Sequence, residues 1–153
     1  GQGLNWRQVK FEGSADQVLL PCKPEQAQRK VMLGHDTSDL QMQGCEVQGM
    51  QFTWAQLTLP PQTSPDIVLQ VWQQASLSSM GATPGPTAQS LRLSTAGKEL
   101  NAVQLSAQTP QGRHAHFYWW VRDTHAYQLA VYAERGPIAT PVLQSLEEGI
   151  LAP

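Results

Sequence analysis

The feature that most constrains the fold is a pair of consecutive strand-like segments toward the C-terminal end. His114 to Arg122 and His125 to Glu134 are each about nine residues long, rich in aromatic and apolar side chains, and separated only by Asp123-Thr124. Two such segments joined by a two-residue turn predict an antiparallel β-hairpin. The second half of the chain is therefore expected to be mostly sheet.

Further strands are predicted wherever apolar segments are bounded by turn residues. Gln48-Gly49 joins two of these segments and can supply the positive φ angles of a tight hairpin turn. The other predicted strands are a hairpin-like entry at Leu4 to Leu20, then Arg29 to Leu33, Leu40 to Val47, Met50 to Leu59, Leu91 to Leu93 and Val103 to Ala107.

A helix is predicted after Ser64-Pro65-Asp66. The serine can cap free backbone N–H groups, the proline tolerates the first helical position, and the aspartate favours the positive end of the helix dipole. Gly81 can take the left-handed conformation that ends the helix. One apolar stripe at helical spacing is expected to pack on the sheet: Ile67, Val68, Val71, Trp72 and Ala75.

The terminal segment repeats the same start signal at Thr140-Pro141 and predicts a second helix that ends near Ile150. Gly81 to Thr87 reads as a linker within one domain, because neither side alone contains a complete core. The order of elements predicts a single domain of residues 1–153 with an α+β fold, in which an antiparallel β-sheet packs with two main helices.

Cys22 and Cys45 are the only cysteines, and both lie in extended segments. Neighbouring extended segments can bring two Cα atoms to the roughly 5.5 Å that a disulfide needs. The pair therefore predicts a disulfide, with two unrelated buried thiols as the alternative. An even cysteine count without Cys-x-x-Cys favours an oxidising compartment, such as the periplasm or the extracellular space.

Composition agrees with export and argues against nucleic acid as a partner. Charged residues are only 14% of the chain, the net charge is −2, and the Lys and Arg residues are scattered singly apart from the Arg29-Lys30 pair. Nucleic acid is an unexpected partner, because phosphate binding needs clustered positive charge. The apolar runs are too short for a transmembrane segment. The start at Gly1-Gln2-Gly3 without methionine suits a chain whose signal peptide has been removed, either free or lipid-anchored.

The best candidate site in the sequence is a row on the predicted strand after Gly112. Alternation places Ala115, Phe117, Trp119 and Val121 inward, so four polar or aromatic side chains share the other, wetter face: His114, His116, Tyr118 and Trp120. This row is a possible ligand-binding surface. His114 and His116 are also weak candidates for metal ligands, since alternate strand residues emerge about 7 Å apart. The alternatives are an exposed strand face, a pH-sensitive contact, or a row covered by the terminal helix.

Motifs for nucleophilic or phosphate chemistry are missing from the sequence. There is no Gly-x-Ser-x-Gly, Ser-x-x-Lys or phosphate-binding loop, and a disulfide would consume both thiols. The acidic pairs Asp36/Asp39 and Glu147/Glu148 are interpreted as solvated charge. No catalytic residue and no cofactor are therefore expected.

The order of elements resembles a known family at the level of the fold. It runs from a Leu-Leu-Pro-x-x-Pro step at Leu19 to Pro24, through a strand bearing Phe52 and Trp54, to a capped helix, antiparallel strands and a C-terminal helix. Over roughly residues 9 to 150 this is similar to the PsbP-like α/β/α sandwich and its bacterial secreted relatives. The resemblance implies an accessory or binding protein and carries over no functional residues.

These observations favour an exported, non-enzymatic accessory or binding domain of the cell envelope, periplasmic or lipid-anchored, with a cell-envelope protein as a possible partner. The first alternative is a small-molecule or metal-ion binding protein that uses the row from His114 to Trp120. An enzyme of unknown class is the second and less favoured alternative.

Overall fold

The computed structural model describes residues 3–33, 35–82, 87–95 and 97–150. Within them, nine strands and two helices confirm the α+β class and the antiparallel sheet. Their bounds are β1 Arg7–Lys10, β2 Gln17–Leu20, β3 Glu25–Leu33, β4 Asp36–Val47, β5 Met50–Thr58, α1 Pro65–Met80, β6 Gln89–Thr95, β7 Lys98–Gln108, β8 His114–Arg122, β9 His125–Ala133 and α2 Thr140–Ile150.

Seven strands form one antiparallel sheet in the order β3-β4-β5-β9-β8-β7-β6. The predicted hairpin of β8 and β9 lies near its middle, with Arg122 opposite His125 and Asp123 at a positive φ of 55° in the turn. Gln48 and Gly49 also have positive φ angles and join β4 to β5, as predicted. Of the predicted linker at 81–87, residues 83–86 lie outside the described residues.

The sheet is covered on both faces by different elements. Helix α1 lies on one face, where Val68, Leu69 and Met80 pack against β8, β9 and their neighbours. Helix α2 and the separate β1–β2 hairpin cover the opposite face. The α2 face holds the larger aromatic cluster, which includes Phe11, Phe52, Trp54, Tyr118, Trp120 and Tyr127.

Helix α1 has the predicted boundaries but only part of the predicted capping. Gly81 ends it at φ +74°, and its backbone N–H donates to the carbonyls of Leu77 and Ser78. Ser64 occupies the N-cap position, yet its side chain makes no capping hydrogen bond. Its carbonyl instead accepts the Val68 N–H at 3.2 Å, so the predicted side-chain cap is wrong and the backbone turn starts the helix.

The predicted disulfide joins Cys22, just after β2, to Cys45 in β4, with the two Cα atoms 5.8 Å apart. The 23-residue separation closes a loop that includes all of β3. By the chain-entropy estimate such a cross-link stabilises the fold by about 3 kcal/mol. It fastens the β1–β2 hairpin, which belongs to a separate two-stranded sheet, to the main sheet.

Candidate functional site

The predicted row on β8 is brought together, but the structure buries most of it. His116 is 7% exposed, Tyr118 is fully buried and Trp120 is 2% exposed, whereas His114 is half-buried at the strand start. The expectation of a wetter face is therefore wrong. Alternation identified the two faces of β8 correctly, and the alternative of a row covered by the terminal helix is confirmed, since α2 packs there. The β1–β2 hairpin completes that cover, which the sequence analysis did not predict.

His116 uses both ring nitrogens inside this covered face. Its Nε2 lies 3.0 Å from Gln104 Oε1, and its Nδ1 lies 2.6 Å from the hydroxyl of Ser106. Because an amide oxygen can only accept, Nε2 carries the proton and Nδ1 accepts from Ser106. Burial lowers the His116 pKa from 6.5 to about 4, so the ring is neutral near pH 7.

Tyr118 and Trp120 also have internal partners. The Tyr118 hydroxyl donates to Glu147 Oε2 of α2 at 2.8 Å, so Glu147 is not merely solvated charge as predicted. Burial, followed by the hydrogen bond and charge of Glu147, raises the Tyr118 pKa well above its usual range. Trp120 Nε1 donates to Asp16 Oδ2 at 3.1 Å in the segment joining β1 to β2. These contacts fasten the covering elements to the sheet.

Metal binding by the row gains no support from this geometry. Both His116 nitrogens are occupied, and His114 Nδ1 lies 2.9 Å from the Gly112 carbonyl. Across the residues described, no group of three or more His, Cys, Asp and Glu side chains is arranged to hold a metal ion. The other predicted acidic pair is separated from the row, since Asp39 binds Lys30 on the exposed β3–β4 edge.

A groove that the sequence analysis did not identify lies on the opposite face, between α1 and strands β3, β4 and β5. Helix α1 packs over β8 and β9, and the groove lies beside it along the outer strands of that face. We call it the α1 groove; it has a volume of about 400 Å³. Its lining consists of Arg29, Val31, Met32, Leu40, Met42, Thr53, Ala55, Leu57, Val68, Val71, Trp72, Ala75, Ser76, Ser79, Gln128 and Tyr132.

Sheet register explains why the floor of the groove is apolar. Leu40 lies opposite Leu57, and Met42 lies opposite Ala55 across the β4–β5 pair. Side chains of paired residues project from the same face of a sheet. The two pairs therefore form a continuous apolar surface beside α1.

The helix wall of the groove corrects the predicted apolar stripe. Val68 is buried and Trp72 is half-buried, as expected, but Val71 is 50% exposed, and Ala75 is also exposed. On the far rim, Met32 of the edge strand β3 is 68% exposed. The buried side of α1 is rotated toward Leu69, Ser76 and Met80, so Val71 and Ala75 of the predicted stripe border the groove instead of the core.

Polar groups on the inner side of the groove are already paired. Gln128 Oε1 accepts the Ser76 hydroxyl at 2.8 Å and the Trp119 indole N–H at 2.6 Å. Tyr132 lies under the Arg113 guanidinium, 4.8 Å from the ring centroid, and burial raises the Tyr132 pKa. Its phenol is therefore neutral near pH 7. The groove thus combines an apolar floor with a few neutral polar groups on its inner side and Arg29 on its rim, which is typical of small-molecule sites.

The sequence contained one signal for this groove. Four of the five residues of the predicted α1 stripe line it, namely Val68, Val71, Trp72 and Ala75. The groove itself depends on where α1 crosses the sheet, and residue spacing does not determine that position.

Comparison with known proteins adds no family to this description. A scan against protein-family models gives no match, and a search of curated proteins finds no similar sequence. In the described part of the chain, no helix is long and apolar enough to cross a membrane.

Proposed function

We propose that this chain is a non-enzymatic binding domain of an exported cell-envelope protein, periplasmic or lipid-anchored, and that it binds a small apolar molecule in the α1 groove. The observation that carries the proposal is the apolar surface left open there: Val71 and Met32 are both at least half exposed on the two rims. Exposed apolar surface that lines a concave site is favourable to cover, at roughly 25 cal/mol per Å².

The layered arrangement supports the accessory or binding role implied by the PsbP-like resemblance. Helices α1 and α2 lie on opposite faces of the sheet, as expected for an α/β/α sandwich. The Cys22–Cys45 disulfide is compatible with an oxidising compartment. Fold similarity alone does not assign a ligand, so the proposal depends on the groove.

Binding through the row from His114 to Trp120 is the less favoured alternative. Tyr118 and Trp120 would have to lose their hydrogen bonds to Glu147 and Asp16 before a ligand reached them. A ligand can enter the α1 groove without breaking such a contact, because the apolar residues on its rims are already exposed.

The proposal can be tested by titration with N-phenyl-1-naphthylamine, an uncharged apolar dye whose fluorescence rises in apolar sites. We expect saturable binding, and we expect Val71→Gln to weaken it about tenfold, because the loss of one apolar contact of roughly 1.4 kcal/mol changes affinity by that factor. Ile67→Gln is the matched control, since Ile67 is 58% exposed on the same helix but does not line the groove.

Circular dichroism of both variants establishes that they fold. Absence of saturable dye binding by the wild-type protein would contradict the proposal. Equal weakening by Val71→Gln and Ile67→Gln would contradict it as well, because the dye would then bind the outer surface of α1 and not the groove.

A further inference from the structure

The described lining of the α1 groove carries positive charge and no negative charge. Arg29 is the single charged side chain among the described lining residues, and no Asp or Glu lies among them. This differs from the chain as a whole, in which acidic residues outnumber basic ones by 12 to 10. A ligand with one negative charge is therefore electrostatically matched to this groove, whereas a cationic ligand would find no counter-charge on its lining.

Arg29 is placed to meet such a charge at the rim. It lies on β3 opposite Leu40, which in turn lies opposite Leu57 on the groove floor. Its side chain is exposed, and none of the described carboxylates forms an ion pair with it. The adjacent Lys30, by contrast, binds Asp39 at 2.8 Å. The guanidinium can thus bind a carboxylate by two parallel hydrogen bonds at the end of an apolar surface.

The edge strand beside the groove favours a small ligand over an added peptide strand. β3 forms one edge of the sheet, and it carries Glu25, Arg29 and Lys30 along its nine residues. Charged side chains on an edge strand oppose pairing with another strand. A segment that docked by strand addition would have to cover these charges, whereas a ligand within the groove meets only Arg29.

The volume and the lining side chains of the groove suit one flexible alkyl chain. Its volume of about 400 Å³ lies near the lower end of the roughly 300–1,000 Å³ seen for small-molecule sites. Met32 on the rim and Met42 on the floor are unbranched and adaptable, so they can follow a chain of variable conformation. Trp72 offers a rigid aromatic surface on the opposite wall.

We infer that the ligand of the α1 groove is a free single-chain amphiphile with one anionic headgroup, of the fatty-acid type. Its carboxylate pairs with Arg29, and its alkyl chain lies over Met42 and Leu57 against α1. The inference rests on the proposed function, to which it adds the class of ligand and the residue that recognises its headgroup.

The test displaces N-phenyl-1-naphthylamine with dodecanoate or dodecan-1-ol, both below the concentration at which they aggregate. These two ligands share the alkyl chain and differ in charge. We expect dodecanoate to bind about tenfold more tightly than the alcohol, as one charge-assisted contact predicts. Arg29→Gln should remove that preference, while the alcohol binds the variant as it binds the wild-type protein.

Lys30→Gln is the matched control, because it removes the same charge from the adjacent residue, which does not line the groove. It should keep the preference for dodecanoate. Equal binding of the two ligands, or an equal loss of preference in both variants, would overturn the anionic inference but leave apolar binding intact. If neither ligand displaces the dye, the inference fails; if the dye itself does not bind, the proposed function fails with it.

Discussion

His116 illustrates how an ordinary polar residue becomes part of a core. Its ring is held between Gln104 and Ser106, and it lies 4.8 Å from the ring of Tyr118. The neutral ring satisfies both neighbours, since one nitrogen donates and the other accepts. Protonation would place a charge in the buried cluster and leave the Ser106 hydroxyl facing a second donor. The residue therefore stabilises the fold only while it is neutral.

We expect the free energy of unfolding to decrease as the pH falls from about 6.5 to about 4. Between the unfolded pKa of 6.5 and the folded pKa of about 4, the unfolded chain binds a proton that folded His116 does not. The stabilisation that depends on neutral His116 is fully present above pH 6.5. As the pH falls toward 4, the free energy of unfolding decreases by up to about 3 kcal/mol. Urea unfolding at about pH 7.5 and about pH 4.5 measures the change.

His116→Gln should reduce that pH dependence, because glutamine does not titrate. His35→Gln serves as the control, since His35 is exposed in the turn before β4. The decisive quantity is the difference in pH dependence between each variant and the wild-type protein. An unchanged pH dependence in His116→Gln would show that the buried ring is not responsible.

At the scale of elements, residue spacing predicted which segments form strands, turns and helices. It was a poorer guide to which elements pack against one another. The β8–β9 hairpin, the turn at Gln48-Gly49 and the end of α1 at Gly81 were all predicted, because local backbone preferences determine them. The start of β4 was not: the strand was predicted only from Leu40, but nine residues of β3 pair through to Asp36. Pairing with β3 therefore determines where β4 begins.

The contact between α2 and the β1–β2 hairpin is another feature that spacing did not predict. Gly149 of α2 lies directly against Leu19 of β2, where an added Cβ would come within 2.7 Å of the Leu19 Cβ and 2.8 Å of its backbone nitrogen. The position admits only glycine without a shift of the helix or the hairpin. Glycine there sets the distance at which the two elements pack.

Gly149→Ala is therefore expected to destabilise the protein by roughly 1–3 kcal/mol through overpacking. In an unhindered helix the same change would stabilise by up to about 1 kcal/mol, so the sign of the effect is diagnostic. Urea unfolding measures it, with Gln144→Ala as the control because Gln144 is exposed on the same helix. A Gly149→Ala protein as stable as the wild type would mean that α2 does not approach β2 this closely.

At the scale of the whole molecule, the two faces of the sheet are covered unequally. The hairpin, α2 and the Cys22–Cys45 disulfide cover one face, and Asp16 and Glu147 attach that cover to Trp120 and Tyr118. Among the described elements, helix α1 covers the other face, and the α1 groove lies beside it along strands β3 to β5, with exposed apolar rims at Met32 and Val71. The candidate site in the sequence lay on the first face, whereas the open apolar surface lies on the second.

This outcome has a physical explanation in the alternation of strand residues. Alternation assigns side chains to faces, as it did for Trp119 and Trp120, which are both buried on opposite sides of β8. It does not indicate which layer a distant segment provides. The hairpin that buries Trp120 lies about a hundred residues earlier in the chain, with Asp16 separated from Trp120 by 104 positions. Only the assembled fold shows which face stays open.

The central claim is that the α1 groove is the binding site, and methyl-resolved NMR tests it most directly. Saturation with N-phenyl-1-naphthylamine should shift the methyl signals of Met32, Met42 and Val71 through the ring currents of the dye, while those of Leu129 and Leu146 on the α2 face stay in place. Shifts that are largest on the α2 face, or spread evenly over both faces, would contradict the account.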